Sequence, residues 1–381
     1  MSCGLDYGLA DHLLELPRAD AESFSGVVAA LRGFQSAQVS EGFSDRVMAA
    51  VKASEKREDR RIYRQFKPVS PWHFLKIAAC AILALSALAF LADRWFSSNA
   101  VAEKRDVAWL LSAQEPDGSW DPAKHGGSAA YRPALTALSA LALAREGGTQ
   151  CQAAISRACH SLAASQLPSG CFGGTGRQEQ YNHAITTFAL ASLAPQFPEV
   201  RPVVAKALEF MRSSQRAAGG WDYVDNSDGN TALTAWNLRA LACAEKQGFS
   251  EARTLRCRGL RWLRNAVRSE GRVVYHTDSR ESESESLTAL AAYALLDAGG
   301  QYPELERLGR VVAGRLTVAE DSGTDSYRDY AKALAFAAAG ESAQSRRVAE
   351  RLRSTPSATD DDAWGMVGGR LYTSALAILA N

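Results

Sequence analysis

Leu208 to Ala242 reads LEFMRSSQRAAGGWDYVDNSDGNTALTAWNLRALA. An apolar helical pattern ends at Gln215, a Gly219-Gly220-Trp221 turn follows, and a polar loop leads into a second apolar helix. The same grammar stands upstream as Trp109 to Gln114, then Gly118-Ser119-Trp120, then a helix from Tyr131. It returns as Ser165-Gln166, Gly170-Cys171-Phe172 and a helix from Tyr181. One supersecondary unit recurring at roughly fifty residues marks a repeat architecture.

Working outward, the pattern predicts six helix pairs from about residue 103 to the C-terminus. The outer helices fall at roughly 103–114, 150–165, 201–215, 251–267, 303–316 and 342–354. The inner helices fall at roughly 131–145, 181–194, 231–246, 285–298, 327–339 and 369–380. Five inner helices share a threonine at one register: Thr136, Thr186, Thr234, Thr288 and Thr373. The inner segments are apolar nearly all round, and a helix apolar on every face is buried on every face. The fold expected is all-α, an (α/α)6 toroid spanning 103–381, with the more charged helices outside.

Composition sets the remaining bounds. The chain has 381 residues and a formal net charge of +1, so bulk charge does not argue for nucleic acid as a partner. Seven cysteines (Cys3, Cys80, Cys151, Cys159, Cys171, Cys243, Cys257) form no C-x-x-C pair and read as small core hydrophobes.

Before the repeats, Ile77 to Ala92 reads IAACAILALSALAFLA, uncharged and flanked by Trp72 and by Trp95-Phe96. With its neighbours this predicts one transmembrane helix over 74–92, its aromatic residues at the interfaces. Lys52, Lys56, Arg57, Arg60, Arg61, Arg64, Lys67 and Lys76 precede it, against Arg94, Lys104 and Arg105 after it. The positive-inside rule places residues 1–66 in the cytoplasm as a small helical region, and the toroid outside the cell membrane beyond a linker at 93–102. Residues 1–66 are too short to hold much core alone. In front of a membrane span they loosely resemble the cytoplasmic part of bacterial anti-sigma proteins. That resemblance implies a cytoplasmic protein partner, although the metal ligands of the zinc-binding members are absent, with only Cys3 and His12 here.

Trp109 to Trp120 resembles the QW repeat of squalene and hopene cyclases, as does Gln215 to Trp221 and, more weakly, Gln166 to Phe172. Arg370-Leu371-Tyr372-Thr373 after Gly368-Gly369 resembles the last repeat of the same superfamily, which includes protein prenyltransferase β subunits and complement-like thioester domains. The resemblance covers roughly 103–381 and implies an α/α barrel with a central cavity. Its motifs are structural staples and identify a fold, not an activity.

The catalytic signatures of that superfamily do not carry over. The strong-acid Asp-x-Asp-Asp cluster has Thr359-Asp360-Asp361-Asp362 as its nearest counterpart, with threonine at the first acidic place. A zinc-thiolate site finds no paired spacing among His12, His73, His125, His160, His183 and His276. The thioester pattern is not met by FGGTGRQEQ after Cys171. No metal or cofactor is expected.

Inner-helix N-termini and the loops before them should face the cavity mouth. This predicts Tyr131, Tyr181, His183, Trp221, Asp222, Trp236, Trp364, Arg370 and Tyr372 as cavity residues. His183, Asp228, Glu285 and Asp360, Asp361 and Asp362 are the candidate acids and bases. The expected function is binding of a lipid-like (isoprenoid) or peptide ligand without turnover. The alternatives are a divergent terpenoid cyclase or prenyl-processing enzyme, and a transmembrane signalling protein.

Overall fold

The computed structural model describes residues 106–173, 178–223, 227–278, 284–318, 325–354 and 363–380, with backbone only at 363–367, besides the single position Ala49. The proposed cytoplasmic region, membrane segment and linker therefore lie outside the described residues, as do Asp360, Asp361, Asp362 and the Trp364 side chain. Among the described residues no helix is long and apolar enough to cross a membrane.

Among the described residues from 106 on, the regular structure is helical apart from an isolated bridge between Val267 and Val273. The first helix, α1, covers 106–112. It is followed by α2 (Arg132–Glu146), α3 (Thr149–Ser165), α4 (Gln178–Leu193), α5 (Arg201–Ser214), α6 (Thr231–Lys246) and α7 (Glu251–Ala266). Then come α8 (Glu285–Asp297), α9 (Pro303–Ala313), α10 (Ser326–Ala339), α11 (Ser342–Ser354) and α12 (Ala363–Leu379). Local chemistry fixes the starts. Asn230, Ser284 and Asp325 cap α6, α8 and α10 by accepting N–H bonds from Leu233, Leu287 and Arg328. Proline stands in the first two positions of α2, α5 and α9.

The even-numbered helices form the inner layer. Each packs on the next, and α12 packs back on α2, so the ring is closed. The expected helix pairs are all present, but the packing is displaced by one step. An outer helix was expected to pair with the inner helix that follows it; instead α3 packs chiefly on α2, α5 on α4, α7 on α6, α9 on α8 and α11 on α10. Link length explains this. Only Gly147 and Gly148 separate α2 from α3, and Gly340 and Glu341 separate α10 from α11, whereas each outer helix reaches its following inner helix through a long turn. Short links make antiparallel neighbours.

Those long turns join the repeats. Gln114, Gln166 and Gln215 each donate from Nε2 to two carbonyls, one in their own turn and one in the next outer helix. The distant acceptors are Ala154, Val203 and Leu255, at 2.8, 2.9 and 3.0 Å. Beside them Gly118, Gly170 and Gly219, all at positive φ, press on the carbonyls of Arg157, Lys206 and Arg258, where a Cβ would come within 2.3, 2.3 and 2.5 Å. Only glycine satisfies both conditions. Trp120 and Trp221 are fully buried and donate their indole N–H groups to Leu110 and Met211. The shared threonine also has a role: Thr136 and Thr234 accept the backbone N–H of Trp120 and Trp221, both at 3.1 Å. A fourth turn of the same shape, Val267 to Val273, escapes sequence inspection because valine replaces both glutamine and tryptophan. Its Arg268 N–H to Arg272 carbonyl bond repeats that of Arg216 to Gly220.

In α10, the inner helix without the threonine, Asp329 stands at that register, four residues after the cap, and accepts from Arg351 at 2.9 Å, while Lys332 lies one turn further on. Lys332 is fully buried and reaches Glu285 on α8 at 2.8 Å. The ring closes where Gly369 (φ 61°) abuts the carbonyl of His125 and Arg370 lies 4.1 Å over the Trp109 ring.

Candidate functional site

All six inner helices run the same way, and their N-terminal ends surround one mouth. Five repeats contribute a tyrosine there, and the sixth places Tyr372 just below. Tyr131 precedes α2, Tyr181 and Tyr327 lie in the first turns of α4 and α10, and Tyr372 lies on α12. Tyr223 and Tyr275 come from the loops before α6 and α8 and share a hydroxyl–hydroxyl bond of 2.8 Å. Tyr131, Tyr181, Tyr223, Tyr275 and Tyr327 line an open cavity of about 420 Å³ with Ser284, Ser286 and Leu287. Below it Tyr131, Tyr181 and Tyr327 continue into a narrow apolar end of about 30 Å³, bounded by Leu138, Ile185, Trp236 and Tyr372. That is room for about one water-sized or methyl-sized group.

Burial raises the phenol pKa of Tyr131, Tyr181, Tyr275 and Tyr327, so these side chains are neutral hydrogen-bonding groups over the physiological range. Trp236 donates its indole N–H to the Tyr327 hydroxyl at 2.9 Å and closes the floor.

Of the residues named from the sequence, Tyr131, Tyr181, Trp236 and Tyr372 line the narrow end of the cavity. Others do not line the cavity. His183 is turned to the outer wall: its ring donates to the Ala207 carbonyl on α5 at 3.1 Å and packs on Phe172 and Phe210. Burial drives its pKa down to about 3, so it is a neutral structural residue. An all-round apolar helix does not reveal which buried side faces the axis, which is why His183 read as a cavity residue. Trp221 is the buried staple of the third turn, and Arg370 belongs to ring closure.

Glu285 lies at the rim, bound to Lys332 and close to Arg328. Burial pushes its carboxyl up, but Lys332 and Arg328 outweigh this and hold it below the usual range. It is an ion-paired carboxylate at neutral pH. Asp228 is exposed and lines a polar pocket of about 240 Å³ with Ser227 and His276, separate from the mouth lining.

Asp222 is buried behind that pocket. Its Oδ1 accepts from the Tyr223 N–H at 2.7 Å and from Asn230 at 2.8 Å, and its Oδ2 lies 3.3 Å from His276 Nδ1. Ser227 Oγ meets the same Nδ1 at 3.3 Å. A Ser-His-Asp relay needs the serine and the carboxylate on opposite ring nitrogens, so this trio is a loop fastening. It ties the segment carrying Tyr223 to the one carrying Tyr275. Sequence reading missed Tyr223, Tyr275 and Tyr327, whose common role is visible only when the repeats are superposed.

Among the described residues no group of three or more His, Cys, Asp or Glu could hold a metal ion. Cys151, Cys159, Cys171, Cys243 and Cys257 are all free thiols. Burial raises Cys159 to about 12, leaving it unreactive as a thiolate.

The description "Squalene-hopene cyclase C-terminal domain" matches residues 130–280, and "Prenyltransferase alpha-alpha toroid domain" matches residues 10–197. No protein of curated function matches the chain. A solved structure described as the crystal structure of a protein from Actinoplanes is 20% identical, with a TM-score of 0.48, over 74% of this chain and 98% of that one. Where the two matches overlap the described residues, at 106–197 and 130–280, they fall on the closed ring of paired helices, and they make the chain similar to the prenyltransferase and squalene-cyclase-like α/α toroid superfamily.

Proposed function

We propose that the toroid is a binding module that holds the end of an elongated ligand in its tyrosine-lined mouth without turning it over. One observation carries the reading: five repeats each send one tyrosine to the same mouth, above a floor closed by Trp236 and Tyr327, and the sixth supplies Tyr372 to the narrow end below. Aromatic faces supply apolar contact at low entropic cost, and neutral hydroxyls supply hydrogen bonds that orient the ligand. Between the two ligand classes considered, isoprenoid and peptide, cavity depth favours the peptide. The narrow end takes a methyl-sized tip, whereas a full isoprenoid chain needs an apolar tunnel that Leu138, Ile185 and Trp236 fill.

The module is proposed to stand outside the cell membrane on a single span at residues 74–92, with residues 1–66 reaching a cytoplasmic protein. Native mass spectrometry of the full chain, purified from its own membrane in detergent, tests the reading. The expected result is a stoichiometric adduct of unchanged mass on incubation, lost in Tyr181→Ala and Tyr275→Ala. An adduct converted to a new mass would establish turnover. An empty protein that takes up neither peptide nor isoprenoid would remove the ligand-binding reading.

A further inference from the structure

Beneath the floor of the mouth lies a second aromatic enclosure, and it is filled by the chain itself. Arg239, three residues beyond Trp236 on α6, has its guanidinium carbon 4.1 Å from the Phe188 ring centroid. The Trp236, Tyr293 and Tyr330 rings are each 5.3 Å away. Those rings come from α4, α6, α8 and α10, so four of the inner helices converge on one cation. Its Nε and Nη1 are buried without a hydrogen-bond partner, and among the described residues no carboxylate pairs with it.

A guanidinium keeps its charge at any physiological pH. Arg239 is half-buried, but two of its guanidinium nitrogens are out of reach of water, and there the faces of the four rings, with the Tyr330 hydroxyl beside them, compensate a charge that has no counter-ion. This is the geometry by which proteins recognise guanidinium and alkylammonium ligands, with the ligand supplied in cis.

We propose that the toroid axis contains a cation-binding cage whose resident is Arg239, and that removing this side chain opens a receptor for guanidinium-type and small alkylammonium cations. Arg239 also limits how far any ligand can enter. Trp236 is the shared wall, one part facing the narrow end of the mouth and the other packed on the guanidinium. With Arg239 in place the interior is occupied and positively charged, so cationic groups are excluded from the axis. The inference does not depend on what binds at the mouth and would survive the loss of that reading.

The test is thermal unfolding of the full-length chain and its Arg239→Ala variant in millimolar methylguanidinium chloride. Urea serves as the uncharged planar control and sodium chloride as the ionic-strength control. The expected result is a saturable rise in the Tm of the variant of about 2 °C or more, absent from the wild-type protein and absent with either control. A folded variant that does not respond, or a wild-type response of equal size, overturns the proposal. If Arg239→Ala does not fold, a double-mutant cycle between Arg239→Met and Phe188→Leu decides. Phe188→Leu should raise the unfolding equilibrium constant about threefold more in the wild type than in the Arg239→Met background. Equal effects would show that no ring–cation interaction holds Arg239, and the cage would be discarded.

Discussion

The indole N–H of Trp236 donates to the hydroxyl of Tyr327 at 2.9 Å, joining α6 to α10 across the toroid axis. These helices are not neighbours in the ring, since α8 stands between them. The bond therefore spans the cavity and forms its floor. Tyr327→Phe removes the acceptor and leaves a buried indole N–H unpaired. Chemical denaturation should show a loss of roughly 1–3 kcal/mol, and Trp236 emission should shift as the floor loosens.

The glutamine turns carry a second prediction. Gln215→Ala leaves the carbonyls of Gly219 and Leu255 without their partner in a buried site, while Gln166→Ala does the same to Gly170 and Val203 nearer the surface. Both variants should be destabilised, by about 1–3 kcal/mol at position 215 and by less at 166, where water reaches the vacated groups. Equal losses in urea titrations would argue against the distinction.

His183 predicts a pH dependence of stability. Its pKa falls from 6.5 to about 3 on burial, so between those values the unfolded chain binds the extra proton and the folded one does not. Its contribution is complete above about pH 6.5 and is lost as pH falls toward 3, at about 1.4 kcal/mol per pH unit. Comparing urea midpoints of the wild type and His183→Asn across that window isolates it, because titrating groups common to both cancel. The difference between the two curves should shrink toward acid pH. Ligand uptake at the mouth should survive the same substitution at neutral pH.

Ring closure gives a fourth prediction. Gly369 has φ 61° and ψ −158°, and a Cβ there would stand 2.2 Å from the His125 carbonyl oxygen. Gly369→Ala should lower stability by more than the ~1–3 kcal/mol of backbone strain alone, since α12 must also move off the loop at 126–127. Arg370→Ala, which loses only the contact with Trp109, should cost about 0.5–2 kcal/mol. Thermal scans of the two variants should rank them in that order.

Much of the fold is legible in the chain. Glutamine and glycine at fixed offsets, followed by tryptophan or phenylalanine, announce three of the turns, because the backbone contact at Gly118, Gly170 and Gly219 tolerates no side chain. The shared threonine register is equally visible, and its purpose emerges from the bonds that Thr136 and Thr234 accept from the preceding staple. What hides is whatever lacks a period. The turn from Val267 to Val273 keeps the backbone shape while changing the side chains that advertise it. Tyr223 and Tyr275 sit on loops, where no helical spacing predicts direction. His183 and Arg239 both lie on helices buried all round, so nothing in the sequence says that the first faces the wall and the second the axis.

The central claim is that ligand is held at the tyrosine mouth. Hydrogen–deuterium exchange of the full chain, compared before and after its co-purified ligand is stripped, tests this most directly. Loaded protein should show slowed exchange in the segments carrying Tyr131, Tyr181, Tyr223, Tyr275 and Tyr327, with the outer helices α3, α5 and α7 unchanged. Protection confined to the outer helices, with the mouth segments indifferent to ligand, would contradict the account.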